Sequence, residues 1–181
     1  QYNKVIDPSF EIEYDEIADF DLTTSFPFLD EEGNFDNAAF NSFKYEDLAY
    51  EIYGRADIME RDIPSILNRW VNSKLRELNT EVEPEVILFS PFEINLTIPS
   101  TLSFLSRYGI KIRSIEFPID STKIWDKADI VITANPKLLE LTPEGKYSFK
   151  VNAPYNKGVD GSFEFDGIIE IIKDEDNTIE K

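Results

Sequence analysis

Two apolar runs and the helical segments around them constrain this chain most. EVILFS (85–90) and DIVIT (129–133) are nearly unbroken stretches of aliphatic and aromatic residues. Such runs suit strands buried on both faces. IKIRSIEF (110–117) reads as a further strand between them. PSTLSFLSRYG (99–109) precedes that strand and reads as a helix, with Ser100 as its N-cap and Gly109 as the left-handed residue past its end. A short helical turn near 122–127 leads into DIVIT. PKLLEL (136–141) is helical, YSFKV (147–151) is a strand, and GIIEIIK (167–173) is a last helix capped by Asp166. Repeated strand and helix predicts right-handed crossovers and an α/β fold, with a mostly parallel sheet covered by helices on both faces.

The N-terminal half carries the same signals less regularly. FEIEY (10–14) alternates apolar and polar residues, as a half-buried strand does, and Ile17 to Phe20 read as a short buried strand. Residues 21–43, rich in Asp, Asn, Gly and Phe, read as a long loop, and 45–54 as helical. The clearest helix is IPSILNRWVNSKLRELN (63–79), where Ile63, Ile66, Leu67, Trp70, Val71, Leu75 and Leu78 recur on one face. Asp62 can cap it, Pro64 suits its first turn, and Asn79 and Thr80 end it. No repeat or low-complexity linker divides the 181 residues, and 41% hydrophobic content suits one domain with a sizeable core. The acidic tail KDEDNTIEK (173–181) reads as solvated and frayed.

Residue types that are missing narrow the chemistry. The chain has no Cys and no His. Thiolate nucleophiles, Ser-His-Asp triads, disulfides and Cys/His zinc sites are thereby excluded. Catalysis has to come from Asp, Glu, Lys, Tyr, Ser or Thr, and the metal that suits oxygen ligands alone is a hard one such as Mg²⁺. A net charge of −18 repels phosphate backbones, so direct nucleic-acid binding is not expected. No apolar run approaches the roughly 20 residues of a membrane span. The first residues lack the layout of a signal peptide, and the chain does not open on Met, as a trimmed chain or a fragment would not. Absence of Cys fits a cytoplasmic location.

Ligands on parallel α/β sheets bind beyond the carboxyl ends of the strands. The residues to inspect are therefore Asp19 and Asp21, Ser90, Pro118 to Lys123, Thr133 to Pro136, and Pro154 to Asn156. Asp19 and Asp21, two apart at a strand end, can face one pocket. One carboxylate can then act as nucleophile or metal ligand and the other as general acid and base. Abundant Asp also favours loops and caps. Ser90 before Pro91 equally ends a strand, and without a family resemblance Lys123 reads better as a solvated charge than as a functional one. Trp70, Trp125 and Tyr155 fit core or rim packing better than substrate stacking.

D-x-D-x-T after an apolar run (Asp19, Asp21, Thr23), VILFS ending in Ser90, the helix-Gly-strand step SRYGIKI, Lys123 in DSTKIWDKADIVI, and ADIVITANPKLL follow one another in order. Together they resemble the haloacid-dehalogenase-like hydrolases from about Ile17 to Lys173. VNAPYNKG near the end is similar to the PYN segment of that superfamily's 5'(3')-deoxyribonucleotidase-like branch. The resemblance implies a single domain over 1–181, a Rossmann-like three-layer sandwich with a small helical cap inserted at 36–82. It implies a Mg²⁺-dependent phosphohydrolase acting on a small phosphomonoester such as a nucleoside monophosphate. Asp19 would attack phosphorus, Asp21 would serve as acid and base, and both would hold Mg²⁺. Ser90 would bind a phosphate oxygen, Lys123 would offset negative charge, and Thr23, Thr24 and Asn135 would contact substrate. Two like charges about 4 Å apart repel by roughly 4 kcal/mol at an effective dielectric of 20, which is the work such cations do.

One departure stands out. The family's fourth motif carries acidic metal ligands, whereas Thr133, Ala134 and Asn135 occupy those places here. Asp129 begins that strand rather than ending it, and Asp120 is a carboxylate that could substitute. This motivates the alternative expectation of a catalytically impaired relative that serves as a binding or structural component of a larger assembly, with protein partners.

Overall fold

The computed structural model describes residues 2–58, 61–74, 85–90 and 96–172. Helices and short parallel strands alternate through the C-terminal half, as the periodicity predicts. Strand β1 (Ile87–Phe89) pairs in parallel with β2 (Ser114–Glu116), with Leu88 opposite Ile115. Strand β3 (Ile130–Thr133) pairs in parallel with β4 (Tyr147–Val151), which pairs in parallel with β5 (Phe163–Phe165). The α/β character and the parallel pairing hold. Among the described residues the strands form a two-stranded and a three-stranded sheet rather than one continuous sheet.

Pleating sorts the three-stranded sheet into two faces. Ile132, Phe149, Val151, Phe163 and Phe165 pack on one side against Ile171, from a helix over 168–172. Lys150 stands opposite Thr133 and Glu164 in register, on the other side. Its buried ammonium is paired with Glu164 at 3.3 Å. The single-turn helix capped by Asn135, Pro136–Glu140, buries Leu138 and Leu139. Trp125 is buried and donates its indole N–H to the Leu138 carbonyl, in keeping with a packing role.

The helix Thr97–Arg107 connects β1 to β2. Gly109 follows it at φ +63°, the left-handed residue expected past a helix end. Gly109→Ala is expected to cost about 1 kcal/mol, since Cβ disfavours that conformation; urea unfolding measures it. Ser100 is not the N-cap. It lies inside the helix, 3% exposed, and its hydroxyl donates to the Leu96 carbonyl at the N-cap position. The reason for its burial is the neighbour it meets. The 43–54 segment is wound into two π-helical turns, Phe43–Asp47 and Tyr50–Gly54. The second turn docks on the Thr97–Arg107 helix. A Cβ on Gly54 would stand 3.3 Å from the Ser100 carbonyl and 2.7 Å from the Tyr50 ring, so the close approach needs glycine.

Two predicted strands are corrected. Residues 10–13 and 17–19 are irregular, and a 3-10 turn, Tyr14–Glu16, separates them. Local carboxylates explain this. Glu16 Oε2 accepts the Glu13 N–H at 2.9 Å, and Asp19 Oδ1 accepts the Asp21 N–H at 2.9 Å. Side chains that bond nearby amides compete with a ladder for them. The predicted loop 21–43 is also more structured than expected. It holds a bridge between Leu29 and Phe35 and the helix Asn37–Ser42, capped by Asp36. The helix at 63–79 is described over Ile63–Lys74; Leu75, Leu78, Asn79 and Thr80 lie outside the described residues, as does the tail 173–181. The last helix occupies 168–172, and the Asp166 N–H is met by Glu170 Oε2 at 2.7 Å. No helix among the described residues is long and apolar enough to cross a membrane.

Candidate functional site

Asp19, Asp21, Thr23 and Thr24 form one hydrogen-bonded stretch. Asp21 caps the 3-10 turn Leu22–Thr24, its Oδ1 accepting the Thr23 N–H at 3.0 Å. Thr24 donates its hydroxyl to the Asp21 carbonyl at 3.1 Å. Both aspartates are exposed. The bonds that hold this turn use Oδ1 of each carboxylate, and a carboxylate carries a second oxygen.

A ring contact ties this stretch to the turn that follows β4. Phe20, between the two aspartates, meets Tyr155 edge-on, with ring centroids 5.4 Å apart. Tyr155 lies in the 3-10 turn Pro154–Asn156, just past the carboxyl end of β4. Burial raises the Tyr155 phenol above its ordinary value, and the nearby Tyr14 adds to the effect. The two aspartates therefore flank a residue packed at the carboxyl end of a parallel sheet, where such folds bind ligands.

Asn156 organises that end of the sheet. It is 1% exposed. Its Nδ2 donates to the carbonyls of Ala134 and Val151, both at 2.9 Å, and its Oδ1 accepts the Ala153 N–H at 3.0 Å. One side chain thus joins the residues that follow β3 to the end of β4. Nothing in the residue type singled Asn156 out; its position after a predicted strand, in the PYN segment, was the available signal.

The other predicted residues stand as follows. Ser90 sits just past β1, and its N–H donates to the Glu116 carbonyl at 2.9 Å, extending the ladder with β2. Asn135 follows β3 and caps the Pro136–Glu140 helix, its Oδ1 accepting the Lys137 N–H at 3.0 Å. Lys123 lies in the 3-10 helix Ser121–Asp126, exposed, 3.7 Å from Asp126. Asp120 caps that helix. Its carboxyl is held below its ordinary value by the Thr122 hydroxyl, then the Thr122 N–H, with smaller help from Lys137 and Lys123. Lys123 and the start of the Asn135-capped helix are thereby electrostatic neighbours of one carboxylate.

Asp120 supplies a pH prediction. Its folded value lies below its unfolded one, so its contribution is complete above the unfolded value, about 3.9, and is lost as pH falls through the folded value. Asp120→Asn is expected to lessen the fall in unfolding midpoint below about pH 4; acid titration followed by circular dichroism measures it.

Among the described residues, no three or more Asp or Glu side chains gather as a ready-made metal site. A pair of carboxylates remains in Asp19 and Asp21. Mg²⁺ is commonly held by one or two carboxylates, with water and substrate oxygens completing its shell. Compared with known proteins, the chain matches no family model, no curated protein and no solved structure.

Proposed function

We propose that the chain is a Mg²⁺-dependent phosphohydrolase of the haloacid-dehalogenase-like type, acting on a small phosphomonoester such as a nucleoside monophosphate. The observation that carries this reading is the packing of Phe20, which lies between Asp19 and Asp21, on Tyr155 in the turn that follows β4. The finer architecture belongs to the same proposal. β1 pairs only with β2, and β3 only with β4, among the described residues. Joined along those open edges, the two sheets would form the middle layer of a three-layer sandwich. The helical segments within 36–82 would form the cap.

In this reading an Asp19 carboxylate oxygen attacks phosphorus and the bond to the leaving oxygen breaks. Asp21 gives its proton to that oxygen, leaving an aspartyl-phosphate on Asp19. Asp21 then takes a proton from water, which attacks phosphorus and frees phosphate and Asp19. Ser90 and Lys123 donate to phosphate oxygens, and Thr23, Thr24 and Asn135 orient the substrate. Asp19 and Asp21 would hold Mg²⁺, which when bound draws negative charge from the phosphate oxygens. Purified protein given Mg²⁺ and a panel of nucleotides and sugar phosphates should release phosphate from at least one of them. Silence across the panel would count against the reading.

A second reading has its own support. Asn135, the one polar residue left at the fourth-motif place past the end of β3, is engaged in capping a helix, and Thr133 Oγ1 accepts the Asn135 N–H at 3.0 Å. Without a carboxylate there, the chain would be a catalytically impaired member of the fold that serves an assembly with other proteins. Calorimetry separates the two: saturable Mg²⁺ binding lost in Asp19→Asn supports the enzyme, and absence of binding in the parent protein supports the assembly component.

A further inference from the structure

The N-terminal residues build an aromatic nest of their own. Tyr2, Phe40 and Phe43 are buried. The Tyr2 ring meets those of Phe10, Phe26, Phe28 and Phe43 at centroid distances of 4.7 to 6.2 Å, and its hydroxyl donates to the Pro27 carbonyl. Beside these rings lies a cavity of about 300 Å³, open to solvent on one side. Its walls are Tyr2, Leu22, Phe26, Phe40, Phe43 and Ile52, with one cation, Lys44, and one carboxylate, Glu51. Opening to solvent lets a small molecule reach these rings without unfolding the nest. The cavity falls at the small end of ligand sites, roughly 300–1,000 Å³.

We propose that this cavity binds an uncharged compound of one or two aromatic rings with a polar edge. Ring walls favour a flat aromatic body through edge and offset contacts. The volume matches a body of one or two rings. One cation and one carboxylate leave the wall without net charge, so it offers no excess charge to an ionic ligand. Glu51 can then accept from the ligand's polar edge, while Lys44 already donates to the Tyr45 hydroxyl at 2.6 Å. Leu22 belongs to the turn that Asp21 caps, so the ligand would rest on the back of that turn. The proposal does not depend on phosphohydrolysis, because binding alone tests it.

Indole is the probe, and cyclohexylmethanol is the ring-free control of similar size. Titration of the full chain, followed by calorimetry, is expected to show one saturable site for indole and at least tenfold weaker binding of the control. Leu22→Trp, which fills the cavity, is expected to weaken indole at least tenfold while far-UV circular dichroism stays unchanged. Ile52→Trp gives the same reading if Leu22→Trp does not fold. Absent indole binding, equal binding of the control, or undiminished binding in a folded cavity-filled variant would each overturn the proposal.

Discussion

Asp19→Asn is expected to bring Mg²⁺-dependent phosphate release down to the uncatalysed level, while Asp21→Asn slows it by about 10²–10⁴-fold. The difference follows from the roles. An amide cannot replace a carboxylate nucleophile, whereas loss of a general acid slows departure of the leaving group without forbidding the attack. Folding offers a clean background for the comparison. Asp19 is exposed and makes its bond to the Asp21 N–H through Oδ1, an acceptor that Asn keeps. The change in stability should therefore stay within about 0.5 kcal/mol. Steady-state release with a chromogenic phosphomonoester measures the rates. Mass spectrometry of the Asp21→Asn protein after exposure to substrate is expected to find the phosphoryl group on Asp19. Equal rates in the parent and both variants would end the phosphohydrolase reading.

Asn156→Ala is expected to be the most damaging single change near the site. The side chain is 1% exposed and satisfies three backbone groups, those of Ala134, Val151 and Ala153. A buried polar group left without a partner costs about 1–3 kcal/mol. The three losses share one neighbourhood and do not add in full, so about 3–5 kcal/mol is expected. For a chain of this size that lowers the midpoint of thermal unfolding by roughly 6–20 °C. Asn156→Asp tests the cause. It keeps the acceptor for Ala153 N–H but removes the donor to Ala134 and Val151, and should lose nearly as much. A shift of only a degree or two in both variants would show that the carbonyls find other partners. Because Asn156 holds the residue after β3 against the end of β4, the same variants should also disturb Asn135, the next residue along.

The strands and helices of the C-terminal half were legible because each is written within a short window. VILF, DIVIT and YSFKV are short apolar runs bounded by turn residues, the pattern of a strand, and β4 spans Tyr147–Val151 as read. Gly109 was legible for the same reason: a helical pattern stops and the residue that tolerates positive φ follows. Ser90 and Asn135 could be placed past strand ends because the ends of the runs mark them. The segment 10–20 was not legible. Its alternation suits a strand, but Glu16 and Asp19 offer the backbone nearer partners. β5 was missed because three residues carry too little pattern; its pairing of Phe163 with Phe149 decides it. Helix over 45–54 was legible, but its π winding was not, and the docking of its second turn on the Thr97–Arg107 helix depends on Gly54.

By itself, then, the order of residues determined the α/β character, the parallel pairing implied by helical crossovers, and a chemistry confined to oxygen and lysine side chains. Tertiary structure alone decided that Phe20 rests on Tyr155, that Asn156 joins the ends of β3 and β4, that Ser100 is buried under Gly54, and that an aromatic cavity opens beside Leu22. The division has a physical cause. Hydrophobic periodicity and capping act over a dozen neighbouring residues, whereas these contacts join segments remote in the chain, whose encounter depends on how every intervening element packs.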